Sequence, residues 1–143
     1  MAKTSETKEL REFLSRAEAY FGPRAWIKRW IDTIHSGIPD SCAIVDSIFL
    51  PIEAKISKGG VKSILQHKFE RCQIETMLEM KEAGGFPIGL IFKDDQERYI
   101  LPEDIPESGQ LSISHFESLP IFRWDDVINA GKIYVMRFRR KEV

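Results

Sequence analysis

With 143 residues, the chain is long enough to bury one hydrophobic core without disulfides or a structural metal. A hydrophobic content of 43% excludes a disordered chain, and a formal net charge of −1 excludes a uniformly basic surface. No apolar run approaches a membrane span, the N-terminus lacks the layout of a secretion signal, and Cys42 and Cys72 are not spaced as a zinc site. The expectation is a single cytoplasmic domain with two buried, reduced thiols.

In chain order, Ser5 to Phe21 reads as an amphipathic helix, with Leu10, Phe13, Leu14, Ala17, Tyr20 and Phe21 on one stripe. Gly22-Pro23 stops it. Arg24 to Ile34 reads as a first strand in which Lys28 and Trp30 share one face and Arg29 takes the other. Gly37-Ile38-Pro39-Asp40 then turns the chain into two apolar runs, Cys42 to Val45 and Ile48 to Ile52. The polar break Asp46-Ser47 between them predicts a β-hairpin.

That hairpin places Asp40 at the start of one strand and Glu53 and Lys55 near the end of its antiparallel partner. Residues 53 and 55 share a face because strand side chains alternate, so three polar groups converge at the edge of an apolar sheet. Two carboxylates with one ammonium suit a hard divalent cation, and magnesium keeps several waters in such sites.

Beyond Lys55, Ile56 to Ser63 forms a basic, glycine-containing loop in which Lys58 and Lys62 can follow a phosphate backbone. A second long helix is expected from Ile64 or Leu65 to Ala83, ended by Gly84-Gly85. Leu65, Phe69, Cys72, Met77 and Met80 make its inner face. Gln73 lies among them, so its amide needs a polar partner, and the carboxylate hairpin is the obvious one. Phe86 to Phe92 and Arg98 to Leu101 read as strands joined by a turn that carries Asp94 and Asp95. Pro102 to Pro120 reads as irregular, Trp124 to Ala130 as a short helix ended by Gly131, and Ile133 to Phe138 as a last strand. The result is an α/β chain with a mixed central sheet flanked by helices. No Walker loop or dinucleotide fingerprint is present, so no nucleotide cofactor is expected.

Pro39-Asp40 followed by Glu53-Ala54-Lys55 resembles the signature of the PD-(D/E)xK nuclease superfamily. Gln73-Ile74-Glu75-x-Met77, Gly84-Gly85 and Ile91-Phe92 extend the resemblance to RecU-type Holliday-junction resolvases. The Gly-Ile-Pro-Asp form is also similar to phage and VRR-type members. The resemblance implies a restriction-endonuclease-like core and a magnesium-dependent endonuclease, with Mn2+ able to substitute. Its metal ligands would be Asp40 and Glu53, with Lys55 serving the attacking water and Gln73 supporting the site. It further implies an additional glutamate from the first helix, for which the helical facing selects Glu6 over Glu9, Glu12 and Glu18. Lys28, Arg29, Lys58 and Lys62 would contact DNA. The implied partner is a four-way junction cut by a homodimer, in the cytoplasm of a cell or of a phage host. The alternatives are a nuclease of flaps, ends or lesions, and a DNA-binding module that does not cut.

Overall fold

The computed structural model describes residues 5–30, 37–57, 64–93 and 96–141, with side chains from Thr7 to Arg140. A five-stranded sheet runs in the order β1 (Ala25–Arg29), β2 (Ser41–Val45), β3 (Ile48–Ile56), β4 (Ile88–Lys93), β5 (Gln96–Ile100). All neighbours are antiparallel except β3 and β4, which are parallel. The parallel pair needs a crossover, supplied by the segment that contains α2 (Arg71–Glu82). One face carries α1 (Ser5–Phe21) and α4 (Trp124–Lys141). The other carries α2, the 64–70 stretch and the short α3 (Ile113–Ser118). The mixed, helix-flanked sheet expected from the sequence is therefore present.

Each face has its own core. On the α1 side, Leu10, Phe13, Leu14, Ala17 and Phe21 pack on Ala43, Val45, Leu50, Ile52, Ala54, Ile88 and Leu90. On the α2 side, Ile64, Leu65, Phe69 and Met77 pack on Ile91 and Ile100. Because β3 and β4 are covered on both sides, they read as continuous apolar runs and not as alternating ones. The two charged residues inside β3, Glu53 and Lys55, stand out against that background.

The β2–β3 hairpin turns through Asp46 and Ser47, both left-handed at φ 51° and 67°, a two-residue turn whose twist matches the strands. Asp46 is clamped by Arg24, whose Nε donates to Oδ1 at 3.0 Å and whose guanidinium NH2 donates to Oδ2 at 2.7 Å; Lys132 lies 3.5 Å away. These hydrogen bonds, with the two nearby cations, hold the Asp46 carboxyl below the ordinary carboxylate range. The stabilisation is complete above the unfolded carboxyl's value of about 3.9 and is lost as pH falls through the lower folded value. Asp46→Asn keeps a residue that tolerates the left-handed turn but removes the charge. Thermal unfolding should then show a slightly lower midpoint at neutral pH and a flatter acid limb between about pH 2 and pH 5. An unchanged acid limb would remove this ion pair from the stability of the hairpin.

Five expectations are corrected. The first strand is shorter than Arg24 to Ile34: Arg24 closes a one-turn 3-10 helix, β1 ends at Arg29, and residues 31–36 lie outside the described part. The second helix begins at Arg71, because Ile64 to Glu70 sends its backbone bonds elsewhere. Ile64 N–H donates to Leu111, Leu65 N–H to the Gln110 side chain, and Phe69 N–H to Gly109. Cys72 consequently lies on an exposed part of α2, whereas Cys42 is buried, its thiol pushed up to about 11 by desolvation. The fourth concerns the C-terminus, where Ile133 to Phe138 is not a strand: α4 runs unbroken past Gly131. Trp124, Val127, Ile128, Gly131, Tyr134, Val135 and Phe138, with Ala130 beside them, are its buried or half-buried positions, a helical spacing. A Cβ on Gly131 would stand 2.7 Å from Ile48 Cγ2, so this glycine permits close helix–sheet packing and does not end a helix. The 102–120 region is also more ordered than expected, with a 3-10 turn at Pro102–Asp104 as well as α3.

Candidate active site

The site is built at the β1 end of the β2–β3 pair. Gly37, at φ +90°, presses on α2, where a Cβ would stand 2.6 Å from the Cys72 carbonyl oxygen; only glycine fits. The chain then passes through buried Pro39 to Asp40. Asp40 is held on both sides: its carbonyl accepts from Trp30 N–H at 2.8 Å, and its Oδ2 accepts from Ala54 N–H at 3.0 Å. The β2–β3 register pairs Ser41 with Ile52, so one step further Asp40 stands opposite Glu53. Cross-strand partners share a face, so Asp40, Glu53 and Lys55 lie toward the α2 side of the sheet.

Glu53 is 1% exposed and Lys55 4%. Lys55 Nζ lies 3.7 Å from Glu53 Oε2, and Gln73 Nε2 donates to the same oxygen at 3.3 Å. The Gln73 Oε1 accepts from Glu70 N–H at 2.8 Å, so one amide ties the start of α2 to the carboxylate on β3. Gln73 is thus a helix-start residue reaching the site. This satisfies the amide as the sequence required, though from the third helical position and not from mid-helix.

A buried carboxylate–ammonium pair is a poor device for stability. The desolvation of both ions offsets their attraction, and an apolar pair of equal volume often does as well or better. Its presence on a strand otherwise filled with apolar residues points to chemistry. Lys55 has a second neighbour that the sequence did not reveal: its Nζ lies 5.4 Å from the centroid of the buried Phe69 ring. The available signal was Gly89, an isolated glycine in an apolar strand, which marks a close approach.

Among the other expected residues, Lys28 is exposed and pairs with Cys42, on the same sheet face as Glu53. Arg29 pairs with Ser41 and belongs to the opposite face. Lys58 and Lys62 lie outside the described residues, and Glu6 belongs to the first turn of α1 with its side chain outside them. Glu9 and Glu12 line a cleft of about 650 Å3 with Arg16 and Glu97. Among the described residues no group of three or more histidines, cysteines or carboxylates is placed to hold a metal ion. The described part of the site offers two carboxylates.

No family model matches the sequence, and no curated protein matches it. Among solved structures the chain is similar to Hjc of Archaeoglobus fulgidus, a Holliday junction resolvase from an archaeal hyperthermophile. The TM-score is 0.61 over 90% of this chain and 99% of that one, at 14% identity. The fold is the α/β fold of that resolvase. At this identity the likeness is one of overall fold. No helix among the described residues is long and apolar enough to cross a membrane.

Proposed function

We propose that the protein is a magnesium-dependent endodeoxyribonuclease that cuts four-way DNA junctions as a homodimer. The observation that carries this reading is the buried Glu53–Lys55 pair, aligned with Asp40 on one sheet face of a nuclease fold. The donor set fits magnesium: Asp40 and Glu53 offer hard oxygens, and this ion commonly takes one or two carboxylates and fills its remaining positions with water and phosphate. When bound there, it would supply an activated water and neutralise charge on the scissile phosphate. Manganese suits the same ligands.

The chain's own residues do the rest. Asp40, fixed by the Ala54 amide, and Glu53, fixed by Gln73, present their oxygens without reorganisation. Lys55 offsets the charge that gathers on the phosphate or orients the attacking water. Lys28, two residues along β1 from the Trp30–Asp40 contact and so about 7 Å away, is set to hold a neighbouring phosphate. Lys58 and Lys62, and a further ligand at Glu6, complete the proposal from the sequence; the RecU-type likeness rests on Gln73-Ile74-Glu75-x-Met77 and Gly84-Gly85.

A four-way junction needs two symmetric cuts. The described part of each chain has one such site, and a twofold dimer would present two.

The test is a cleavage panel in magnesium that compares a four-way junction, fork, flap and linear duplex of matched sequence, together with light scattering. Paired nicks in the junction by a dimer are expected, with binding that weakens steeply as salt rises. Binding without cleavage in any divalent cation sinks the enzyme reading; a monomer that cuts duplex as readily as junctions sinks the junction reading. Gln73→Ala should lower the cleavage rate about tenfold by loosening Glu53. It should also cost about 1 kcal/mol of stability at the helix start. A rate equal to wild type would reduce Gln73 to a helix cap.

A further inference from the structure

The ring of Phe69 is seated with unusual completeness for a residue outside any regular element. It is 1% exposed, and a Cβ on Gly89, the β4 residue paired with Glu53, would stand 2.7 Å from its Cζ. From behind, its backbone is locked to Gly109. Phe69 N–H donates to the Gly109 carbonyl at 2.8 Å, and a Cβ on Gly109 would stand 2.0 Å from the Phe69 carbonyl oxygen. The Gly109 contact thus fixes the Phe69 backbone while the Gly89 contact seats its ring, and the Lys55 Nζ lies 5.4 Å from the ring centroid. An ammonium removed from water needs replacement partners. Glu53 supplies one charge at 3.7 Å, and the electron-rich ring face supplies the second attraction.

We propose that Phe69 is a positioning residue for Lys55, its clamped ring holding the ammonium beside Glu53 in the geometry that cleavage requires. This rests on the nuclease reading above. It gives the segment around Gly109, which lies more than fifty residues beyond the sequence signature, a part in the site. Without the ring the long lysine stem would have other rotamers open to it, and Nζ would leave its place at the carboxylates. The role differs from core packing because it depends on the charge distribution of the ring, not only on its volume.

The deciding experiment replaces Phe69 with mono-, di- and trifluorophenylalanine, which preserve shape while weakening the ring's hold on a cation. The cleavage kcat of the four-way junction should fall stepwise, about tenfold across the series, at constant KM and thermal midpoint. A flat series, or a fall that follows the thermal midpoint instead of the number of fluorines, overturns the proposal. A second readout needs no activity. In the NMR spectrum of the metal-free protein, the Lys55 side-chain protons nearest Nζ should be shifted upfield by the ring and should return to ordinary positions in Phe69→Leu. Ordinary shifts in the wild type overturn the proposal as well. If the wild type cuts no DNA, the nuclease reading falls and the ring-current shift alone decides whether Phe69 seats Lys55.

Discussion

Glu53→Gln is expected to lower magnesium-dependent DNA cleavage by at least about a thousandfold. The side chain keeps its shape, so the β3–β4 register should persist, but a hard anionic donor is replaced by a neutral amide. The same change leaves Lys55 buried without its nearest carboxylate, and removal of one partner from a buried pair typically costs about 3–5 kcal/mol. The variant should therefore be folded but less stable, with magnesium binding by calorimetry reduced along with cleavage. Asp40→Asn should match the loss of cleavage with a much smaller loss of stability, since Asp40 is only half-buried and an amide oxygen can still accept from Ala54 N–H. Wild-type cleavage by either variant would defeat the assignment of these carboxylates. Equal destabilisation by both would defeat the account of the buried pair.

Gly109→Ala is expected to be the most destabilising single-methyl addition, at about 3 kcal/mol or more by urea unfolding. Two causes act together: the residue sits at φ +78°, and the added carbon would meet the Phe69 carbonyl oxygen at 2.0 Å, a backbone atom that cannot rotate away. Gly22→Ala separates the causes. Gly22 also has a positive φ, +59°, but nothing lies within 4 Å of its would-be Cβ, so only the conformational strain of about 1 kcal/mol applies. Similar losses at both positions would show that the close contact between residues 109 and 69 contributes little.

The carboxylate hairpin is legible in the sequence because its information is local. Pro39, Asp40, the turn at Asp46-Ser47 and the Glu53-x-Lys55 spacing all lie within one two-stranded unit. Alternation and antiparallel pairing then fix which side chains meet. The amphipathic stripe of α1 and the continuous apolar runs of β3 and β4 are local in the same sense. Gln73 was within reach for a related reason: a polar side chain among apolar neighbours must find a partner, and few buried partners exist.

Only the tertiary structure decided the remainder. Ile64 to Glu70 has the composition of a helix, yet its backbone pairs with residues 109–111, forty or more positions away, a choice that no local propensity encodes. In the C-terminal segment, Ile133 to Phe138 suits strand or helix equally over so short a run, and Gly131 suits a stop or a close contact. The nearness of Ile48 settles both by drawing α4 against β3 as one long helix. The seat of Lys55 is of this kind too. Phe69, Gly89 and Gly109 are unremarkable residues apart, and they become a support for a buried ammonium because the sheet brings three distant stretches within van der Waals contact.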